Sequence, residues 1–194
     1  VDRGIAFAAL NYDLAPKARI GDMIAQVRRA LAYLHDHAGR LGLDPARIFV
    51  AGHSAGGHLA VSALDRAWPP TQGLPRDLVK GGLSLSGVYD LEAMRLSYHQ
   101  AVLALDADEV AAWSPVRALP EDAGPLLVAV GGEETNEFLL QQDEFLTAWR
   151  GAGLRARAVD LAGRHHFDVV ETLADPAHPL HTALVQLIQT GDLG

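Results

Sequence analysis

A glycine-rich heptapeptide, Gly52-His53-Ser54-Ala55-Gly56-Gly57-His58, stands between an apolar run at residues 47–51 and a helical run at residues 59–66. Strand, G-x-S-x-G and helix in this order are the context of a nucleophile elbow, a sharp turn that carries a serine. Small residues two positions before and after the serine let the strand and the helix approach closely. The pattern therefore predicts a hydroxyl of Ser54 at a helix N-terminus, where free N–H groups favour a developing negative charge. A glycine-rich turn with a chance serine is the alternative.

The composition is that of a globular protein. The 194 residues are 49% hydrophobic and 21% charged, which suits one domain over residues 1–194 with a sizeable core. The net charge of −8 argues against a nucleic acid or an anionic membrane as partner. The expected partner is a small-molecule substrate. The absence of cysteine excludes disulfides, thiolate chemistry and Cys-type zinc sites. Without a signal-peptide pattern or an apolar run of membrane-spanning length, the protein is expected in the cytoplasm.

Strand and helix patterns alternate along the chain. This alternation predicts an α/β fold with a mostly parallel, doubly wound sheet and helices on both faces. Residues 91–119 show short helical patterns without a strand, and they are a candidate lid. Strand patterns occupy residues 5–10, 48–51, 78–85, 126–130 and 156–161, and helical patterns occupy residues 20–39, 59–66, 136–151, 165–174 and 179–189.

A serine nucleophile needs a base to take its proton and an acid to orient that base. On sheets of this kind the order along the chain is serine, acid, histidine. The apolar run at 126–130 is followed by Glu133 and Glu134, which point in different directions, so one of them is the candidate acid. His165 and His166 follow the last strand pattern, and one of them is the candidate base.

The seven other histidines are more typical of surface or packing positions. The pairs 35/37 and 178/181 have spacings that a metal could use, but no acidic or cysteine residue with ligand spacing completes either pair. Neither a metal nor another cofactor is therefore expected.

Several motifs together resemble a known family. The elbow, with Asn-Tyr-Asp-Leu-Ala-Pro upstream, is similar to that of the α/β-hydrolases of the kynurenine formamidase (arylformamidase) group, which stands near the hormone-sensitive-lipase-like esterases. The elbow is shared by many esterases, whereas the Glu-Phe and His-Phe-Asp blocks are more specific to the formamidase branch. The resemblance extends over nearly the whole chain, through residues 11–16, 52–59, 85–91, 131–138 and 165–171.

The resemblance implies a role for particular residues. Ser54 corresponds to the nucleophile, and His166, which stands directly before Phe-Asp, corresponds to the base. Glu134 stands where the family usually has an aspartate acid, so the side chain is one methylene longer, and Glu133 is the runner-up acid. The backbone N–H of Ala55 corresponds to one half of the oxyanion hole.

Two further residues are candidate substrate contacts. Tyr89 follows the strand pattern at 78–85, and residues just past strand ends line the ligand crevice in such sheets. The alternative for Tyr89 is a core position under residues 91–119. His53, next to the nucleophile, is the other candidate. A homodimer is an arrangement that the sequence leaves open.

One family feature is missing. The family carries a His-Gly-Gly-aromatic loop, which supplies the other oxyanion donors and precedes the 5–10 strand pattern; this sequence contains no such motif. The strand that bears this loop would lie between the strands at 5–10 and 48–51. The expectation is that the 194 residues are the C-terminal two-thirds of a longer protein. The alternative is a minimal hydrolase in which these two strands pair directly.

The resemblance implies a serine hydrolase that cleaves an aryl formamide, such as N-formylkynurenine, through an acyl-enzyme. A carboxylesterase that acts on small acyl or aryl esters with the same machinery is the first alternative. A ligand-binding protein that has the fold without the activity is the second, because fold alone does not establish function.

Overall fold

The computed structural model describes residues 3–194, so residues 1 and 2 of the predicted 1–194 domain lie outside the described part. Four parallel strands form one sheet in the order β1-β2-β3-β4. All four carboxyl ends lie at the same edge of the sheet because the strands are parallel, and the loops that follow them meet there. The strands are β1 (Ile48–His53), β2 (Val79–Leu85), β3 (Leu126–Gly131) and β4 (Ala156–Leu161).

Helices cover both faces of the sheet. Alternate residues of β3 enter two different cores: Leu126 and Val128 pack with one, Leu127 and Ala129 with the other. The first core receives α1, α3 and α7, and the second receives α8. The prediction of a parallel sheet with helices on both faces is therefore confirmed. The helices are α1 (Ile20–Asp36), α2 (Ala38–Leu41), α3 (Ala55–Leu64), α4 (Leu91–Arg95), α5 (Gln100–Leu103), α6 (Ala107–Trp113), α7 (Asn136–Gly151) and α8 (Pro179–Thr190).

The predicted strand at residues 5–10 is wrong. These residues adopt no regular secondary structure, and the Phe7 side chain is 87% exposed. A strand needs a hydrogen-bonded neighbour, and within the described chain residues 5–10 do not pair with β1. The direct pairing required by the minimal-hydrolase alternative is therefore not what the structure has.

The predicted helix at 165–174 is also shorter than expected. Only a 3₁₀ turn, Val169–Leu173, forms there. The preceding residues make a tight turn in which the carboxylate of Asp168 accepts a hydrogen bond from the backbone N–H of His165 at 2.7 Å.

Residues 91–119 form the short helices α4, α5 and α6, in agreement with the helical patterns. Leu91, Leu105 and Val110 of this segment are buried in the first core. Polar contacts add to this packing: His58 Nε2 of α3 lies 2.7 Å from the carbonyl oxygen of Trp113, and Arg117 donates hydrogen bonds to the carboxylate of Asp90. Whether this segment acts as a lid stays a prediction. No helix in residues 3–194 has both the length and the apolarity needed to cross a bilayer.

Candidate active site

Ser54 occupies the turn between β1 and α3 in a backbone conformation that serine rarely adopts, with φ 57° and ψ −119°. The turn is tight because of Gly52: a Cβ at this position would lie 2.0 Å from the carbonyl oxygen of Gly56. A Cβ on Gly56 itself would meet nothing within 4 Å. The first glycine of the motif is therefore the one that the close approach requires.

Three side chains from three different loops meet at the carboxyl edge of the sheet. His166 Nε2 lies 3.1 Å from Ser54 Oγ, and His166 Nδ1 lies 2.7 Å from Glu134 Oε2. Both distances are within hydrogen-bonding range. The structure therefore brings together Ser54, His166 and Glu134 in the arrangement that activates a serine hydroxyl.

The two candidate acids differ in their surroundings. Glu134 follows β3 with its side chain 0% exposed, and its Oε1 accepts a hydrogen bond from the backbone N–H of Gly131 at 3.0 Å. Glu133 is exposed and contributes only its backbone N–H, which donates to the carbonyl oxygen of Arg164 at 2.9 Å. The runner-up acid Glu133 is thus not at the imidazole.

Backbone hydrogen bonds join the loop that carries Glu134 to the loop that carries His166. Besides the bond from Glu133 to Arg164, the backbone N–H of Gly132 donates to the carbonyl oxygen of Leu161 at 3.1 Å. A Cβ on Gly131 would lie 2.2 Å from the carbonyl oxygen of Arg164. The two loops therefore pack so closely that position 131 has no room for a side chain.

The adjacent histidines also separate clearly. The side chain of His165 is 55% exposed, and its Nδ1 accepts hydrogen bonds from the backbone N–H groups of Phe167 and Asp168 at 3.1 and 3.3 Å. The side chain of His166 is 22% exposed and faces the nucleophile. His165 shapes the turn, and His166 stands in the site.

Aromatic rings surround the His166 imidazole. The rings of His53 and Phe138 each have centroids 4.6 Å from it, and Phe167 meets it edge-on at 5.5 Å. Burial, followed by the neighbouring His166, lowers the pKa of His53. The predicted substrate contact His53 is thus beside the site, with its Nε2 buried and unpaired among the described residues. The sequence reasoning assigned no role to Phe138 or Phe167, although both lie in motifs that carry the resemblance.

The prediction that Tyr89 contacts the substrate is wrong, because Tyr89 does not line the site. Its side chain is 1% exposed and stacks on Phe145 of α7, with ring centroids 4.1 Å apart. Its hydroxyl lies 2.8 Å from Ser84 Oγ, and burial raises its pKa. The ring turns under the strand end into the core, so the core alternative describes Tyr89.

One buried residue at the site was missed by the sequence reasoning. Ser86 follows β2, has φ 49°, and its hydroxyl donates a hydrogen bond to Glu134 Oε1. Ser86 lies in the motif at residues 85–91 that carries the resemblance, but neither its residue type nor its place after a strand indicated a contact with the acid.

Ala55 is the first residue of α3, so its backbone N–H stands at the helix N-terminus beside Ser54. The residues that the structure describes contain no group of three or more His, Cys, Asp or Glu side chains arranged to hold a metal ion.

Comparisons with known proteins agree with the fold. The family described as BD-FAE matches residues 1–66. The kynurenine formamidase of Danio rerio is 29% identical over 97% of this chain and 64% of its own length. Esterase LipQ of Mycobacterium tuberculosis is 28% identical over 89% of this chain and 45% of its own length. The solved esterase of Pyrobaculum calidifontis, 20% identical, superposes with a TM-score of 0.75 over 95% of this chain and 65% of that one.

A parallel sheet with helices on both faces and a serine elbow at its carboxyl edge define an α/β-hydrolase. Within this class the chain is similar to the kynurenine formamidases and to their esterase relatives. The chain spans less than two thirds of the length of the curated relatives it matches.

Proposed function

We propose that the protein is a serine hydrolase that uses Ser54, His166 and Glu134. The observation that carries the proposal is the pair of contacts at His166, 3.1 Å to Ser54 Oγ and 2.7 Å to Glu134 Oε2. An imidazole held in this way can accept the hydroxyl proton on one nitrogen while the carboxylate stabilises the imidazolium on the other side.

The reaction follows from these positions. Ser54 Oγ attacks the carbonyl carbon while its proton passes to His166 Nε2. The backbone N–H of Ala55 faces the developing oxyanion as one donor. The bond to the leaving group breaks, and His166 returns the proton to it. Water then attacks the acyl-enzyme with His166 again as base, which releases the acid and restores Ser54.

We propose an aryl formamide as the substrate class, with formate and an aryl amine as products. The name of the Danio rerio relative supports this class, as do the two motifs at residues 131–138 and 165–171. Phe167 can supply the aromatic contact that Tyr89 does not, because its side chain is 79% exposed and its ring meets His166 edge-on. A homodimer and a cytoplasmic location stay predictions.

Phe167→Ala is expected to raise KM for aryl formamides about 5- to 30-fold relative to KM for small aliphatic esters, the scale of one lost aromatic contact. Steady-state kinetics on both substrate types would measure the ratio. Tyr33→Ala on α1, another exposed aromatic, is the matched control and should leave the ratio unchanged. Equal effects of Phe167→Ala on both substrates would place the aryl specificity elsewhere.

Carboxylesterase activity is the second candidate, and it is favoured by the relatives that are named esterases. Both activities use the same three side chains, so the substrate decides between them. The ratio of kcat/KM on N-formylkynurenine to that on p-nitrophenyl acetate, measured on the full-length protein, is expected to favour the formamide. A higher value on the ester would reverse the order of the two proposals. Failure of a fluorophosphonate probe to label Ser54 would favour a non-catalytic binding protein instead.

A further inference from the structure

We infer that Ser86 is a positioning residue that holds the Glu134 carboxylate in the orientation that His166 requires. The inference rests on the proposed function, because it assigns Ser86 a role within that mechanism. It adds a fourth side chain to the hydrogen-bonded series, which then runs Ser86, Glu134, His166, Ser54.

The two carboxylate oxygens of Glu134 have different partners. Oε2 faces His166 Nδ1 at 2.7 Å, whereas Oε1 accepts hydrogen bonds from the Ser86 hydroxyl and from the backbone N–H of Gly131. One oxygen is thus anchored to the sheet edge and the other is free to serve the imidazole. A buried carboxylate needs such donors, since each unpaired oxygen would be costly.

The anchor has a particular use in this chain. A glutamate has one more rotatable bond than the aspartate usual in this group, so its carboxylate can adopt more orientations. Tethering Oε1 at a point fixed by β2 removes that freedom.

Ser86 itself is held in an unfavourable conformation. Its φ of 49° lies in the left-handed region, where glycine is the residue that pays no steric penalty. Its backbone N–H donates to the carbonyl oxygen of Ala129 at 2.7 Å, and its side chain is fully buried. Strain of this kind persists at functional sites when the side chain is used there.

Two variants separate positioning from folding. Ser86→Ala removes the hydroxyl, and Ser86→Gly removes both the hydroxyl and the backbone strain. In the full-length protein both are expected to lower kcat about 10- to 100-fold, with KM within about twofold, because an interaction that supports the transition state is lost. The melting temperature of Ser86→Gly should match or exceed that of the parent, or fall only slightly below it. Its loss of kcat then cannot be ascribed to unfolding.

A double-mutant cycle measures whether the effects of Ser86→Ala and Glu134→Gln on kcat are coupled. A residue with a purely structural role would show no such coupling. Once the carboxylate is gone, Ser86→Ala should lower kcat less than about threefold further. Ser84→Ala is the matched control: Ser84 lies on β2 two residues before Ser86, is fully buried, and bonds to Tyr89 rather than to the acid. Its kcat should stay within about threefold of the parent.

Wild-type kcat in Ser86→Gly, or losses that multiply in the cycle, would overturn the inference while leaving the nucleophile untouched. Failure of the proposed function would look different, because Ser54→Ala would then remain active. The two results are therefore distinguishable in one set of proteins.

Discussion

Ser54→Ala and His166→Ala are each expected to lower kcat of the full-length protein by about 10³- to 10⁶-fold, the range seen when a member of such a triad is removed. The reason is chemical. Without Oγ there is no atom to form the acyl-enzyme, and without the imidazole the hydroxyl keeps its proton at neutral pH. The double variant should be little worse than either single one, because the two groups act as a unit.

The control for this pair stands next to the base. His165→Ala is expected to keep kcat within about tenfold, because His165 Nδ1 accepts hydrogen bonds from backbone N–H groups of its own turn and lies 3.5 Å from Asp168 Oδ1. Circular dichroism on all three variants would check that they are folded. An inactive His165→Ala enzyme alongside an active His166→Ala enzyme would show that the wrong imidazole has been assigned.

Glu134→Gln should lower kcat by orders of magnitude, with the fold preserved, because an amide cannot stabilise the imidazolium of His166 and can hold the wrong tautomer. The matched change Glu133→Gln should have a mild effect, since the Glu133 side chain is exposed and its contribution is a backbone N–H. Comparing kcat and melting temperature for both variants tests the assignment. It fails if the larger loss of kcat follows the change at Glu133.

How far the sequence predicts this molecule differs from element to element. The elbow is a local structure: the glycines, the apolar run before Ser54 and the helical run after it are enough to predict β1, the turn and α3. β3 is likewise an apolar run of the right length, and β2 is largely apolar apart from Lys80. β4 carries Arg157 and Asp160, which fits its place at the edge of the sheet.

Elements that depend on a partner are predicted less well. The run at 5–10 has the composition of a buried strand, yet within the described chain no neighbour pairs with it, and composition carries no record of pairing. Tyr89 shows the same limit for a side chain. Its position after β2 is correct, but its direction is decided by stacking on Phe145, which belongs to a helix much later in the chain.

Local sequence patterns also could not decide which glutamate of the adjacent pair is the acid, or which histidine of the adjacent pair is the base. Glu133 and Glu134 are equivalent by residue type, as are His165 and His166, and only the resemblance favoured one member of each. In the folded chain the difference is burial of the Glu134 carboxylate and the side to which each imidazole turns. Ser86 was missed because a hydrogen bond between the ends of two strands leaves no spacing to recognise.

The backbone hydrogen bonds and the close approach between the Glu134 loop and the His166 loop limit how such a site can change during evolution. Because Gly131 leaves no room for a Cβ against the carbonyl oxygen of Arg164, a shift of either loop at this contact would displace the other. We therefore expect the acid loop and the histidine loop to change together among relatives. Exchange of substrate specificity among relatives should proceed through the rim of the site, with these two loops transplanted together or left alone.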